Sequence, residues 1–265
     1  MDHKTLDEIL WRHISSLPYF RGFLRAVEDR FYQDIPLPEP VFDLGSGDGH
    51  FASVAFEKKL DVGMDPWQTP MKEAQRRDAY QLLVLGEGEH IPFRTASFAS
   101  VTSTSVLEHI QNVQPVLNEV ARILKPGGKF VFCVPNHRFP LNLWGRKFLS
   151  GLGLRKSGFA YARLFNRIAR HAHTDAPEIW QSRLDLAGFD LLESWDYFPS
   201  KALHILEWGH LFGVPAWFSK KLFKRWILVP ERWNLAVPWQ MTRKFMDNPK
   251  SEEGVCSFFI ARSQS

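Results

Sequence analysis

Apolar residues near the start of the chain recur every three or four positions. Leu17, Phe20, Phe23, Leu24, Val27 and Phe31 fall on one side of a helix, so residues 5–33 read as helical. Pro18 is early enough for the first turn of the second helix. The run Pro36-Leu37-Pro38-Glu39-Pro40 ends this stretch. The rhythm then changes. Val41-Phe42-Asp43-Leu44 is a short apolar run that stops at Gly45, the pattern of a buried strand. Similar runs at 61–64, 80–85, 99–104 and 129–134 alternate with helical patterns at 50–58, 68–78 and 112–124. Strands and helices alternating at this spacing build βαβ units. They predict an α/β fold with a doubly wound, mostly parallel sheet covered on both faces.

After Pro135 the rhythm breaks. Residues 136–174 show no clear period, and 199–247 read as a second irregular, Trp-rich insertion. Between them lie a helix at 175–187, with Asp175 as its N-cap, and a strand at 189–198. A last strand spans 255–261. The chain therefore divides into an N-terminal helical cap (1–39), a core (40–135), an insertion (136–174), a core helix and strand (175–198), a lid insertion (199–247) and a closing core strand (248–265). Ligands of open α/β sheets bind at the carboxyl ends of the strands. The insertions and the cap are therefore expected to form a lobe there, lined by several of Trp144, Trp180, Trp208, Trp217 and Trp233.

Composition changes this picture in one respect. The 265 residues are 45% hydrophobic and 23% charged, ordinary for a globular protein, which excludes a disordered chain. The net charge is +4, yet residues 137–246 hold 17 of the 33 Lys and Arg, 8 of the 29 Asp and Glu, and 8 of the 10 Trp. Within this basic, aromatic segment, residues 216–229 read as an amphipathic helix. Phe218, Leu222, Trp226 and Val229 take one side, and Lys220, Lys221, Lys224 and Arg225 the other. That pattern predicts contact with a membrane surface. A basic face alone is weak grounds for nucleic acid, and none is expected as a partner. Cys133 and Cys256 both sit in apolar runs, which fits a reducing compartment. The first fourteen residues show no apolar signal core, and no 18-residue uncharged apolar run occurs. The expected location is cytoplasmic, at the inner face of a membrane.

Four segments carry candidate chemistry. Gly45-Ser46-Gly47-Asp48-Gly49 follows the first strand and opens a helix. Glycines there let the backbone approach a ligand. His50 stands where a dinucleotide fingerprint would need glycine. Asp65 ends the second strand, where a carboxylate can accept two ribose hydroxyls. Glu87-Gly88 follows the third strand and can read an adenine edge with a carboxylate and a backbone N–H. Ser103-Thr104-Ser105-Val106-Leu107-Glu108-His109 ends the fourth strand, beside the first.

Together these segments resemble a class I S-adenosylmethionine-dependent methyltransferase. Asp43-Leu44-Gly45-Ser46-Gly47-Asp48-Gly49 is similar to the family's D-x-G-x-G-x-G loop. Glu87-Gly88-Glu89 with Ile91-Pro92-Phe93 resembles its GDAExLPF segment, with Glu for the usual Asp. Val106-Leu107-Glu108-His109 resembles its VLEH stretch. Arg122-Ile123-Leu124-Lys125-Pro126-Gly127-Gly128 resembles R-x-L-K-P-G-G. Ala99 stands where an acid is expected after Ser97-Phe98. The likeness covers roughly 40–135, the helix and strand at 180–198, and the last strand, but neither insertion.

The resemblance implies a seven-stranded sheet with an antiparallel last strand, and S-adenosyl-L-methionine as cofactor with S-adenosyl-L-homocysteine as product. The implied cofactor contacts are Asp43, Gly45, Ser46, Gly47, Gly49, Asp65, Pro66, Glu87, Gly88 and Ser105. The acceptor is expected to be a small hydrophobic or lipid-linked molecule. A natural product, a glycan precursor, and a non-enzymatic protein retaining the fold are the alternatives. His109 is the first candidate for a base and Glu108 the second. Some quinone-pathway relatives carry an E-x-x-E-H metal stretch. Ser105 replaces its first Glu, so no metal is expected. His171, His173 and Asp175 read as substrate contacts rather than metal ligands.

Overall fold

The computed structural model describes residues 5–212 and 214–264, without the side chains of residues 211, 212, 214, 215 and 217. The first four residues of the expected cap and the Trp217 side chain thus lie outside the described residues. The chain folds as two compact units. One comprises Pro36–Arg138, Phe165–Asp196 and the residues from Cys256 on; the other comprises the chain through Ile35, Phe139–Leu164 and Tyr197–Val255.

The first unit is built on a seven-stranded sheet: β1 (Val41–Leu44), β2 (Leu60–Asp65), β3 (Tyr80–Leu85), β4 (Phe98–Thr104), β5 (Leu124–Pro135), β6 (Phe189–Tyr197) and β7 (Cys256–Ser263). The order is β3-β2-β1-β4-β5-β7-β6. Strands β1 to β5 run parallel, and β7 is antiparallel to β5. Described helices, in chain order, are α1 (Leu6–Ile14), α2 (Tyr19–Tyr32), α3 (His50–Ala55), α4 (Gln68–Arg77), α5 (Val113–Ile123), α6 (Arg138–Asn142), α7 (Trp144–Gly151), α8 (Arg155–Ala169), α9 (Pro177–Leu186), α10 (Ser200–Phe212), α11 (Val214–Phe223) and α12 (Ala236–Arg243).

The sheet is buried on both faces, which is why its central strands are continuous apolar runs. One face packs Phe42, Val101, Phe130 and Phe132 against Val116, Leu117 and Val120 of α5 and Trp180 and Leu184 of α9. The other packs Val41, Leu60 and Tyr80 against Ala52 of α3 and Ala74 of α4. In the second unit, α2 meets α1 and α10 at glycines. A Cβ on Gly22 would lie 2.7 Å from the His13 carbonyl oxygen, and one on Gly209 2.4 Å from Phe20 Cβ. His13 and Asp29 form a fully buried pair at 3.0 Å.

Several sequence expectations need correction. The two insertions are helical rather than irregular. Their apolar residues do not make one buried stripe, because Phe148, Leu152 and Phe159 are exposed, so outside 216–229 no helical period stood out. Pro18 is the N-cap of α2 rather than a first-turn residue. Ala176, not Asp175, holds the N-cap position of α9, because the Asp175 carboxylate is engaged by Arg183 at 2.8 Å and His173 at 3.1 Å. Trp180 cannot line a lid: it is fully buried against Phe132, with the Arg183 guanidinium over its ring. The helix expected at 216–229 stops at Phe223. Lys224 takes a left-handed conformation (φ 60°), and the Ser219 hydroxyl donates to the Arg225 carbonyl at 2.7 Å. Trp226 then lies off that helix, with Arg21 and Lys220 over its ring. No described helix is long and apolar enough to cross a membrane.

Candidate functional site

The turn after β1 begins where the strand loses its partners. The Gly45 and Ser46 N–H groups both donate to the Met64 carbonyl on β2, at 2.8 and 3.0 Å. Gly45, Gly47 and Gly49 all have positive φ (81°, 53° and 69°), which L side chains rarely adopt. Beyond that, they are glycine for different reasons. A Cβ on Gly45 would lie 2.4 Å from Val106, and one on Gly49 2.9 Å from the Ala74 backbone. Those two positions are closed by packing. A Cβ on Gly47 would meet nothing nearer than 4.0 Å, so the backbone is bare on its open side. The Ser46 hydroxyl is buried and has no hydrogen-bond partner among the described residues. A bare backbone beside an unsatisfied hydroxyl fits a polar ligand that brings hydrogen-bonding groups of its own.

Asp43 and Asp65 both face this loop, with different surroundings. Asp43 is tied down on two sides: Tyr80 donates its hydroxyl to Oδ2 at 2.5 Å, and Thr102 to Oδ1 at 3.0 Å. Its role here is to hold the strand end. Asp65 accepts the Gly47 N–H at 2.9 Å and the Trp67 N–H at 2.8 Å, one on each oxygen. Each oxygen retains acceptor capacity for a second donor. Burial raises the Asp65 carboxyl above its ordinary value, and the two N–H bonds offset this only in part. Pro66 beside it is exposed, and so is Trp67.

The loop after β3 is set by α5. A Cβ on Gly88 would lie 2.9 Å from Val116, so the backbone lies flat on that helix. Glu87 is exposed. Glu119 accepts the Ile91 N–H at 2.9 Å, and Arg122 donates to the carbonyls of Ile91 and Phe93 at 2.9 and 2.8 Å. Arg122 also grips Glu119 and lowers its pKa. Tyr80, Glu119 and Arg122 are thus site-building residues absent from the sequence-derived set. Arg122 did stand in the R-x-L-K-P-G-G block, but nothing in the block reveals that it clamps the loop 30 residues earlier.

At the end of β4, Ser105 adopts φ 52° and donates its N–H to Cys133 at 3.1 Å, which turns the chain sharply. Leu107–His109 then forms one 3-10 turn. The Glu108 carboxylate is buried, and its backbone carbonyl accepts the N–H groups of Ala172 and His173. The His109 ring is partly exposed. Its Nδ1 lies 3.0 Å from the Arg170 carbonyl, and its Nε2 lies 3.8 Å from the Glu108 carboxylate. A carbonyl can only accept, so Nδ1 carries a proton and Nε2 is the basic nitrogen of the neutral ring. His171 lies face-to-tilted against it, 5.7 Å between centroids. His173 is held by Asp175 and by the Gln111 carbonyl, at 3.1 Å each. The structure therefore brings Asp43, Gly45, Ser46, Gly47, Gly49 and Asp65 into one loop cluster, and holds Glu108 and His109 in the turn that follows β4.

Comparison with known proteins bears on the family and the fold. Residues 42–132 match the family model described as a methyltransferase domain. The ubiquinone/menaquinone biosynthesis C-methyltransferase UbiE of Bartonella quintana is 28% identical over 168 residues. That alignment covers 56% of this chain and 63% of the relative, less than two thirds of its length. Among solved structures, an S-adenosylmethionine-dependent methyltransferase of Thermotoga maritima superposes with a TM-score of 0.54 at 16% identity, covering 89% of this chain and 87% of that one. A phosphoethanolamine-type N-methyltransferase of Haemonchus contortus, solved with S-adenosylhomocysteine, gives 0.53 at 17% identity, covering 89% and 51%. At these identities the structural matches speak for the fold.

Proposed function

We propose, from the premise that residues 42–132 belong to the class I S-adenosylmethionine-dependent methyltransferases, that this chain methylates a small hydrophobic acceptor. The single observation that carries the reading is the loop at Gly45–Gly49. It has a bare backbone at Gly47, an orphaned Ser46 hydroxyl, and Asp65 with acceptor capacity left beside it. In this reading Gly45, Ser46, Gly47 and Gly49 cradle the methionyl part, and Asp43 keeps that cradle in register with the sheet. Asp65 accepts the ribose hydroxyls beside Pro66, and Glu87 with Gly88 meets the adenine. Ser105 fixes the turn that leads to the acceptor side.

The bound cofactor supplies an electrophilic methyl group on a sulfonium. The protein's part is then to orient the acceptor and, for an acidic hydroxyl or carbon, to take a proton. His109 is the proton acceptor: Nδ1 donates to Arg170, and Nε2 receives the proton from the acceptor. The Glu108 carboxylate, 3.8 Å from Nε2, favours the imidazolium so formed. The hydrophobic acceptor is supported by the quinone-pathway relative and by the Trp-rich segment at 137–246.

The test is an incubation with methyl-labelled S-adenosylmethionine and a lipid extract, partitioned between organic and aqueous phases. Label in the organic phase is expected. Label appearing only in aqueous products overturns the acceptor class, and absence of S-adenosylhomocysteine binding by calorimetry overturns the reading altogether.

A further inference from the structure

The hairpin of α7 and α8 carries a surface that methyl transfer leaves unexplained. Its inner side is closed. Glu207, itself buried, accepts the N–H groups of Trp144 and Gly145 at the start of α7, and the Tyr161 hydroxyl from α8 at 2.6 Å. Gly145 lies against the Tyr161 ring, and Gly158 against the Arg146 carbonyl, with no room for a Cβ at either place. The helices are thus zipped together by glycine contacts and one carboxylate. The connection is short: Leu152 and Leu154 return N–H bonds to Phe148 and Leu149.

The outer side is unusual for a water-facing surface. Phe148, Leu152, Leu154 and Phe159, clustered about the tip, are each between 50% and 61% exposed. Large apolar side chains grouped in this way mark an interaction surface rather than ordinary exterior. The charges along this stretch of the chain all have one sign. No Asp or Glu occurs from residue 120 to residue 174. Lys147, Arg155, Lys156 and Arg163 are exposed beside the tip, Arg155, Lys156 and Arg163 lying one helical turn from Phe159. The Arg146 guanidinium covers the Phe159 ring at 4.9 Å.

We infer that this hairpin tip docks on an anionic lipid bilayer. The four apolar side chains would enter the interface, while the arginines and lysines remain at headgroup level. Charge complementarity selects a negative partner. The apolar tip selects a bilayer over nucleic acid, whose phosphates would leave those four side chains in water. The docking does not depend on methyl transfer, so the two can fail separately.

Flotation of the full chain with vesicles tests it, with no turnover required. Wild type is expected to float with vesicles of phosphatidylglycerol and phosphatidylcholine, and to stay behind with pure phosphatidylcholine. Binding should weaken as salt rises, since exposed charges are screened over about 8 Å at physiological ionic strength. The exposed-site variant Leu152→Ser/Leu154→Ser/Phe159→Ser should lose at least about tenfold in partitioning while keeping its circular dichroism and melting temperature. Lys147→Gln/Arg155→Gln/Lys156→Gln should lose the preference for anionic vesicles. A Phe218→Ser/Leu222→Ser variant should float as wild type does. The inference is overturned if wild type never floats, if the tip variant floats undiminished, or if the Phe218/Leu222 variant alone abolishes binding. It is also overturned if light scattering shows that the tip holds together a dimer which does not float.

Discussion

The Tyr80 hydroxyl on β3 reaches across β2 to donate to Asp43 on β1, at 2.5 Å. It can do so because Gly63 stands between them, opposite Asp43 in the register. A Cβ on Gly63 would lie 2.8 Å from the Tyr80 ring. The ring thus occupies the space a side chain on β2 would fill, and its hydroxyl holds the carboxylate from which the glycine loop departs.

Tyr80→Phe removes this donor to a buried carboxylate and should cost about 1.5–3 kcal/mol at neutral pH, read by urea denaturation. The pH dependence has a definite sign. Burial and the neighbouring Asp43 raise the Tyr80 pKa well above 10, whereas the unfolded chain ionises near 10. The stability Tyr80 contributes is therefore present below that point and lost as pH rises above it. Wild type should lose stability more steeply than Tyr80→Phe in the alkaline range. Parallel alkaline curves would contradict this account.

The glycines of the loop should separate by mechanism. Gly47→Ala is expected to cost only about 1–2 kcal/mol, from its positive φ, yet to abolish S-adenosylhomocysteine binding by calorimetry. Gly45→Ala should destabilise the fold through contact with Val106, and a second change, Val106→Ala, should restore much of the loss in melting temperature. Intact binding by Gly47→Ala would remove this residue from the cradle.

Asp65→Asn keeps an acceptor for the Trp67 N–H and removes a carboxylate whose charge burial disfavours. The amide NH2 then faces the Gly47 N–H in place of the second acceptor oxygen, so stability should fall by about 1–3 kcal/mol, while affinity for S-adenosylhomocysteine falls by about 1.5–3 kcal/mol, roughly 10- to 150-fold. An unchanged dissociation constant would show that the ribose is held elsewhere.

His109→Asn should lower kcat by about 100- to 10,000-fold, the range of general-base catalysis, with cofactor affinity retained. If kcat holds and only the acceptor's KM rises, His109 positions the acceptor and takes no proton.

The sequence alone determined the sheet, its strand-by-strand alternation with helices and the glycine loop. Those features are local: an apolar run bounded by glycine or proline states its own strand, and Gly45, Gly47 and Gly49 declare a turn without reference to anything distant. Asp65 was legible for the same reason, as the polar end of β2. What only the tertiary structure decided were contacts between residues far apart in sequence. Tyr80 reads as one more aromatic in a strand until Gly63 leaves a path to Asp43. Arg122 reads as a helix-end cation until its guanidinium meets the carbonyls of Ile91 and Phe93. Asp175 looked like a helix cap until Arg183 and His173 claimed its carboxylate. The basic helix expected to run through Trp226 was ended at Phe223. Periodicity weighs how residues share a face, but not a carbonyl captured by a hydroxyl six residues back. Nor could it show which apolar side chains stay exposed. Phe148 and Phe159 remain in water because glycine contacts and Glu207 close the hairpin on its opposite side.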